Sequence, residues 1–382
     1  MTLVHSAPVD GTPLIGVQGA ARQRASRRIA GLDGLRAFAV ASVFLHHSLF
    51  LPGNFGSLGV WVFFVLSGFL VLPIARSSID LRATDDLRER LIRTAHFSAN
   101  RFLRIFPIYY VLLGALGVLA LAGVQHKPIP GYIAGAPYFW TYTTNLYIAA
   151  KGEFIDVFTH LWSLAAEFQF YVIVAFMILL VPRGGYRPLL FVALALSVAW
   201  TIHLLLQGDT VAVYVNPIVC FWMMLLGGAT AMAVRHAPFT TWLRPRAKPL
   251  VSLAALICVH LALNIAGLHY LTYFVTPMLS AMTIAMIAVR PDAVAALEWA
   301  PLRAMGVFSY GFYLYHLFVI AISRETFAYL AGRLDIPALA VLFTPVAFVA
   351  TLGISWLSWH LFESRILAHK FTYGRAAPAP LP

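Results

Sequence analysis

Ten long apolar runs separated by mostly short charged connections constrain this chain more than any other feature. They lie at roughly 35–51, 57–75, 104–124, 161–181, 188–206, 212–234, 250–267, 270–289, 307–330 and 337–361. A helix needs about 20 apolar residues to cross the hydrocarbon core of a bilayer. Within that core the backbone must satisfy its own hydrogen bonds, so only helices and closed barrels span it. A barrel strand alternates in polarity over about 10 residues, whereas these runs are continuous. Charged residues make up only 11% of the chain, against about 25% in a soluble domain. The expected fold is an all-α integral membrane protein, a bundle of about ten transmembrane helices.

The basic residues orient the bundle. A net charge of +12 invites a nucleic-acid reading, but the arginines sit between spans, as topology signals do. Ten spans put both termini on one side, and Arg22, Arg24, Arg27, Arg28 and Arg36 mark that side as cytoplasmic. Of the 27 Lys and Arg, only Lys127, Lys151, Arg324 and Arg333 then fall outside. Residues 1–30 read as a flexible basic tail without a cleavable signal peptide, 31–365 as the membrane domain, and 366–382 as a cytoplasmic tail. Within 76–103, "DDLRERLIRTAHF" reads as an amphipathic interfacial helix. Residues 125–160 form an outside loop expected to fold over the bundle mouth. Cys220 and Cys258 both fall in apolar runs and read as buried small hydrophobes. No metal site is expected, because the candidate ligands lack ligand spacing.

Ionisable residues inside spans are costly and are therefore functional candidates. "GLDGLRAFAVASVFLHHSLF" (31–50) carries Arg36, His46 and His47. Eleven steps of about 100° place Arg36 and His47 on one helix face, about 16 Å apart along the axis. Asp33 reads as the N-cap of this helix. In the second span, Gly59, Ser67 and Gly68 read as packing residues for close helix approach. "NRFLRIFPIYY" (100–110) puts Arg101 and Arg104 on one face, suited to forking onto phosphate oxygens. "HLWSLAAEFQFYV" (160–172) carries Glu167 two turns into its span, with His160, Trp162 and Ser163 near the outer boundary. "SYGFYLYHLFV" (309–319) aligns Ser309, Tyr313 and His316 on one face. Glu363 and Arg365 read as an ion pair at the inner boundary. Ordered by depth, the set reads as a conduit. Three arginines grip phosphate at the cytoplasmic mouth, His47 and Glu167 lie at similar depth in the outer half, and His316 lies between.

These motifs resemble acyltransferase family 3, the multi-span membrane O-acyltransferases that modify surface sugars and some antibiotics. The resemblance runs from about 31 to 365. It rests on Arg36 to His47, "FFVLSGF" at 63–69, Arg101 and Arg104 before "IFPIYY", Trp162 to Tyr171 around Glu167, and Ser309 to His316. It implies an acyl-CoA co-substrate, usually acetyl-CoA, a hydroxyl acceptor, and no permanently bound cofactor. It implies catalytic roles for His47 and Glu167 and coenzyme A binding by Arg36, Arg101 and Arg104. Trp162, Ser163, Ser309, Tyr313 and His316 would line the site. His47 would act as general base, with Glu167 orienting it. A cell-surface or lipid-linked polysaccharide in the cell membrane is the first acceptor class, and a small glycosylated metabolite such as a macrolide is the second. The rival class is a transporter or flippase of glycan or acyl precursors, with membrane Arg, His and Glu serving as an ion path.

Overall fold

The computed structural model describes residues 28–49, 55–82, 84–125 and 128–371. The expected N-terminal tail up to residue 27, the C-terminal tail from 372 and Lys127 lie outside them. The described residues are helical, with no strand among them.

Each of the ten expected runs coincides with a helix. Six helical stretches are long and apolar enough to cross a membrane. They are Phe55–Asp80 (α2), Leu87–Leu121 (α3), Asp156–Leu180 (a 3-10 turn leading into α6, Leu161–Leu180), Tyr186–Gln207 (α7), His269–Val289 (a 3-10 turn and α12, Thr272–Val289) and Phe343–Leu367. Two bent pairs raise the number to as many as eight if each is one span, short of the ten expected from the sequence. Pro217–Ala233 (α9), which follows the short Thr210–Val215 (α8), turns by 92° into Ala237–Arg246 (α10, Ala237–Leu243, and a 3-10 turn), and Ala300–Val307 (α13) turns by 80° into Ser309–Leu334 (α14). The two remaining runs are Leu32–Leu49 (α1) and Pro249–Ile265 (α11), helices of 18 and 17 residues outside that set. Leu121, Leu206 and Ile265 are 83–90% exposed, as expected of side chains turned to lipid rather than water.

Two expected connections are helical. Helix α3 runs unbroken for 35 residues, about 52 Å, so the segment expected to be a separate interfacial helix is its first half. Asp86 caps it, accepting from the Glu89 amide at 2.7 Å. The 125–160 segment contains Ile129–Trp140 (α4) and Thr144–Lys151 (α5). Its Tyr142 is buried and stacks on Tyr109 of α3 at 4.3 Å. Gln169 of α6 donates to the Tyr142 carbonyl at 2.9 Å and exchanges hydrogen bonds with Asn145. The segment is thus sewn to the helix that carries Glu167.

Helix α2 is central, packing against α1, α6, α9 and α12. Its closest neighbour is α9. A Cβ on Gly68 would collide with the Met224 carbonyl, and one on Gly227 with the Val65 carbonyl. Only glycine permits this approach, so the expected packing role of Gly68 holds. At the end of α6, Arg82 donates to the carbonyls of Ile178 (2.7 Å) and Val181 (2.9 Å), with its side chain fully buried. Its hydrogen bond to Asp85, aided by the nearby Arg90, holds that carboxyl below the usual carboxylate range.

Three smaller expectations fail. Asp33 does not cap α1. The helix already starts at Leu32, and the carboxylate instead pairs with Arg28 (2.7 Å) and Arg36 (3.0 Å). Cys220 is buried but Cys258 is exposed, because it falls on the outward face of α11. Glu363 accepts from Ser358 at 3.0 Å and makes no ion pair with Arg365, which is exposed. A π-helical turn over Trp359–Glu363 shifts the register there and buries the carboxylate.

Candidate active site

Two cavities, each formed by several helices, meet at Val60 of α2 and Tyr313 of α14, which line both. Together they hold nearly all of the expected site residues.

The first cavity, about 330 Å³, is lined by Arg36 of α1, Ser67 of α2, Arg101 and Arg104 of α3, Glu167 and Tyr171 of α6, and Ser309 of α14, among others. The arginines are not equivalent. Arg36 is held by Asp33, which also binds Arg28, and Arg28 in turn pairs with Glu298 at 2.8 Å. Arg101 and Arg104 form no ion pair among the described residues. The Arg101 guanidinium lies over the rings of Phe97 (5.8 Å) and Tyr171 (5.7 Å), and its buried Nε has no hydrogen-bond partner among the described residues. Both guanidiniums line the cavity, and the excess of cation over carboxylate on its wall suits an anionic ligand. The one carboxylate on the cavity wall, Glu167, accepts from both Ser67 and Tyr171 through the same oxygen, Oε1.

The second cavity, about 370 Å³, is lined by His46 and His47 of α1, His160 and Trp162 at the start of α6, Tyr214, Asp156 and Arg324 of α14, among others. It is aromatic and imidazole-rich. Trp162 and Tyr214 approach to 4.9 Å. His47 sits 5.0 Å from His46 and 5.4 Å from His316 between ring centroids, and His316 is 5.0 Å from His160. Arg324 donates to the His47 carbonyl at 3.1 Å. Asp156 has φ +36°, unusual for a residue other than glycine and the kind of backbone strain that clusters at functional sites.

The structure therefore divides the expected set. Arg36, Arg101, Arg104, Glu167, Ser163 and Ser309 line the first cavity, while His47 and Trp162 line the second. Tyr313 stands between, its hydroxyl 2.6 Å from Ser163 Oγ. His316 is buried behind the second cavity. The expected pairing of Glu167 with His47 is not formed among the described residues. Glu167 turns toward the arginines, and the rings near His47 are imidazoles. Ser67, read as a packing residue, is a hydrogen-bond partner of Glu167. Sequence reasoning also passed over Tyr171, although its i, i+4 spacing from Glu167 was a usable signal. His160, Tyr214 and Arg324 gave no comparable local signal.

Comparison with known proteins agrees with this architecture. The model of the acyltransferase domain of acyltransferase family 3 matches residues 29–360. The chain belongs to that family. It is 29% identical over 302 residues to the putative membrane-bound transacylase BcsY of Komagataeibacter xylinus, covering 75% of this chain and 71% of that one. It is 28% identical over 382 residues to the peptidoglycan O-acetyltransferase OatA of Listeria monocytogenes, covering 91% of this chain and 57% of the relative. Identity is also 28% over 320 residues to the putative peptidoglycan O-acetyltransferase YrhL of Bacillus subtilis, covering 78% and 49%. The chain thus spans about half the length of these two peptidoglycan relatives. No solved structure matches it.

Proposed function

We propose that this protein moves an acyl group, in the simplest case acetyl, from acyl-CoA to a hydroxyl of a sugar in a lipid-linked or cell-surface polysaccharide. The observation that carries the reading is the first cavity, where three guanidiniums face a single lining carboxylate, Glu167, and Arg101 and Arg104 form no ion pair among the described residues. Coenzyme A supplies phosphates that guanidiniums bind in a fork. In this reading the arginine cavity opens to the cytoplasm, a side that the charge asymmetry of the connections supports. The chain crosses the cell membrane ten times, α1 and α11 included, with both termini inside. The pantetheine arm passes the seam at Val60 and Tyr313 and brings the thioester beside His47.

The chemistry then balances within the second cavity. The acceptor hydroxyl oxygen attacks the thioester carbonyl while its proton passes to His47. The carbon–sulfur bond breaks, and His47 returns the proton to the thiolate, releasing coenzyme A as free thiol. Glu167, hydrogen-bonded by Ser67 and Tyr171, shapes the arginine cavity rather than orienting His47. Trp162 and Tyr214 offer flat apolar faces to a sugar ring. The names of the peptidoglycan O-acetyltransferase relatives support a sugar hydroxyl over a small metabolite.

The test uses membranes from the native cell lacking the gene, restored with wild type or His47→Ala. Acetyl-CoA labelled in the acetyl group is added, thiol release is followed, and label is fractionated into polysaccharide, lipid and small molecules. Thiol release with label in polysaccharide, for wild type alone, supports the proposal. Label in small molecules moves the acceptor to a metabolite. No thiol release with any acyl-CoA tried favours a transporter.

A further inference from the structure

His316 lines neither cavity, yet its surroundings define one function closely. Its Nδ1 lies 2.6 Å from the carbonyl oxygen of Tyr313. A carbonyl oxygen only accepts, so Nδ1 carries the proton and Nε2 is a bare acceptor. That Nε2 is buried and meets no donor among the described residues. A buried acceptor without a donor is uncommon and calls for a reason.

Three rings lie close enough to matter. His160 turns its Nε2 to the Leu314 carbonyl at 3.0 Å, so its proton is committed there. Tyr313, whose ring is 5.4 Å away, has its hydroxyl engaged with Ser163. The third is His47, with ring centroids 5.4 Å apart and planes at 44°. An N–H···N contact of about 3 Å between two imidazoles in line places their centroids roughly 5–6 Å apart. The observed 5.4 Å separation falls in that range, so the spacing of the two rings suits such a contact.

We propose that His316 is the positioning residue for His47: its Nε2 accepts the His47 N–H, fixing the tautomer that leaves the other His47 nitrogen bare toward the cavity. The inference rests on the acyl-transfer reading above. When the acceptor hydroxyl gives its proton to the bare nitrogen, both nitrogens of His47 carry hydrogen, and the far one stays held by His316. The proton then leaves for the departing sulfur, and His316 keeps its own throughout. A neutral imidazole thus fills the place that the sequence reading gave to Glu167.

Two amide substitutions test this in the full chain. His316→Gln puts an amide oxygen near the position of Nε2. His316→Asn reaches only the position of Nδ1 and leaves the Nε2 position empty. Thiol release and label transfer from acetyl-CoA are measured over a range of acetyl-CoA concentrations, with thermal unfolding of each purified variant alongside. His316→Asn is expected to lower kcat about a hundredfold, within the usual span of general-base effects. His316→Gln should stay within about tenfold of wild type, and KM for acetyl-CoA should be unchanged in both. Equal kcat for the two variants, or a higher KM with kcat intact, overturns the proposal. So does activity loss that tracks lost thermal stability in both, because His316 would then be structural. If wild type itself releases no thiol, the acyl-transfer reading fails and this inference falls with it.

Discussion

The two cavities are neighbours built on opposite principles. The first holds formal charge, with three guanidiniums and one carboxylate around about 330 Å³. The second holds mainly imidazoles and aromatic rings around about 370 Å³, and backbone carbonyls fix which nitrogen of His160 and His316 carries the proton. Permanent charge suits gripping an anion, because a guanidinium keeps its proton at any working pH. An imidazole suits moving a proton, because both of its forms are accessible near neutrality. In the proposed function, binding and chemistry are separated in space, and Val60 and Tyr313 line both cavities.

The largest single effect expected of this division belongs to the second cavity. His47→Ala should lower acetyl transfer by about 10²–10⁴-fold, the usual worth of a general base. KM for acetyl-CoA should stay within about twofold, because the substituted residue does not touch the arginine cavity. Thiol-release kinetics on restored membranes measure both constants. Loss of coenzyme A binding in His47→Ala would break the comparison by making the two cavities one site.

The reciprocal experiment acts on the first cavity. Arg101→Gln or Arg104→Gln should weaken coenzyme A binding about 10–100-fold each, as expected for a lost charge-assisted hydrogen bond of roughly 1.5–3 kcal/mol. Inhibition of transfer by free coenzyme A reports the affinity, and kcat at saturation should change little. Arg36→Gln should cost less, because Asp33 already compensates Arg36. Equal losses at all three positions would show that the free and paired arginines are not functionally distinct.

The seam gives a smaller, directional effect. Val60 lines both cavities, and in the proposed function Val60→Phe narrows the way between them. Coenzyme A should still bind, while transfer falls about tenfold, in keeping with an overpacking strain of 1–3 kcal/mol at the point of passage. Longer acyl groups should suffer more than acetyl. Equal loss for every chain length would place the thioester elsewhere.

Some of this division was legible in the sequence. Charge inside an apolar run is conspicuous, so Arg36, Arg101, Arg104, Glu167 and His47 stood out at once. Periodicity puts Arg36 and His47 on one helix face, and in the structure they line different cavities along α1. What periodicity could not supply was the rotation of one helix against another. Glu167 and His47 read as partners because they seemed to share a depth, yet depth is not contact. The side chain opposite Glu167 is Ser67, which the glycines around it made look like mere packing. His160 stands at the outer boundary in the sequence reading but without a role, for another reason. A single histidine at a helix start has no pattern, and only the fold brings it against His316. The unbroken α3 was missed because its charged first half resembles an interfacial segment in isolation.

The smallest expected effect tests whether the helix carrying Glu167 is anchored by charge at its far end. Arg82 is buried where α6 ends and donates to two of its last carbonyls, while Asp85 supplies the countercharge. The pairing holds the Asp85 carboxyl below its usual range. A group whose folded value is depressed contributes stability above its unfolded value, near pH 3.9, and loses that contribution as pH falls below it. Protonation would then leave Arg82 buried without its partner. Thermal unfolding between pH 3 and 6 should therefore fall more steeply for wild type than for Asp85→Asn, which lacks this titration and should be slightly less stable at pH 6. Asp85 is exposed to solvent, so salt should shrink the difference. Parallel curves for the two proteins would mean that Arg82 holds α6 by its carbonyl hydrogen bonds alone.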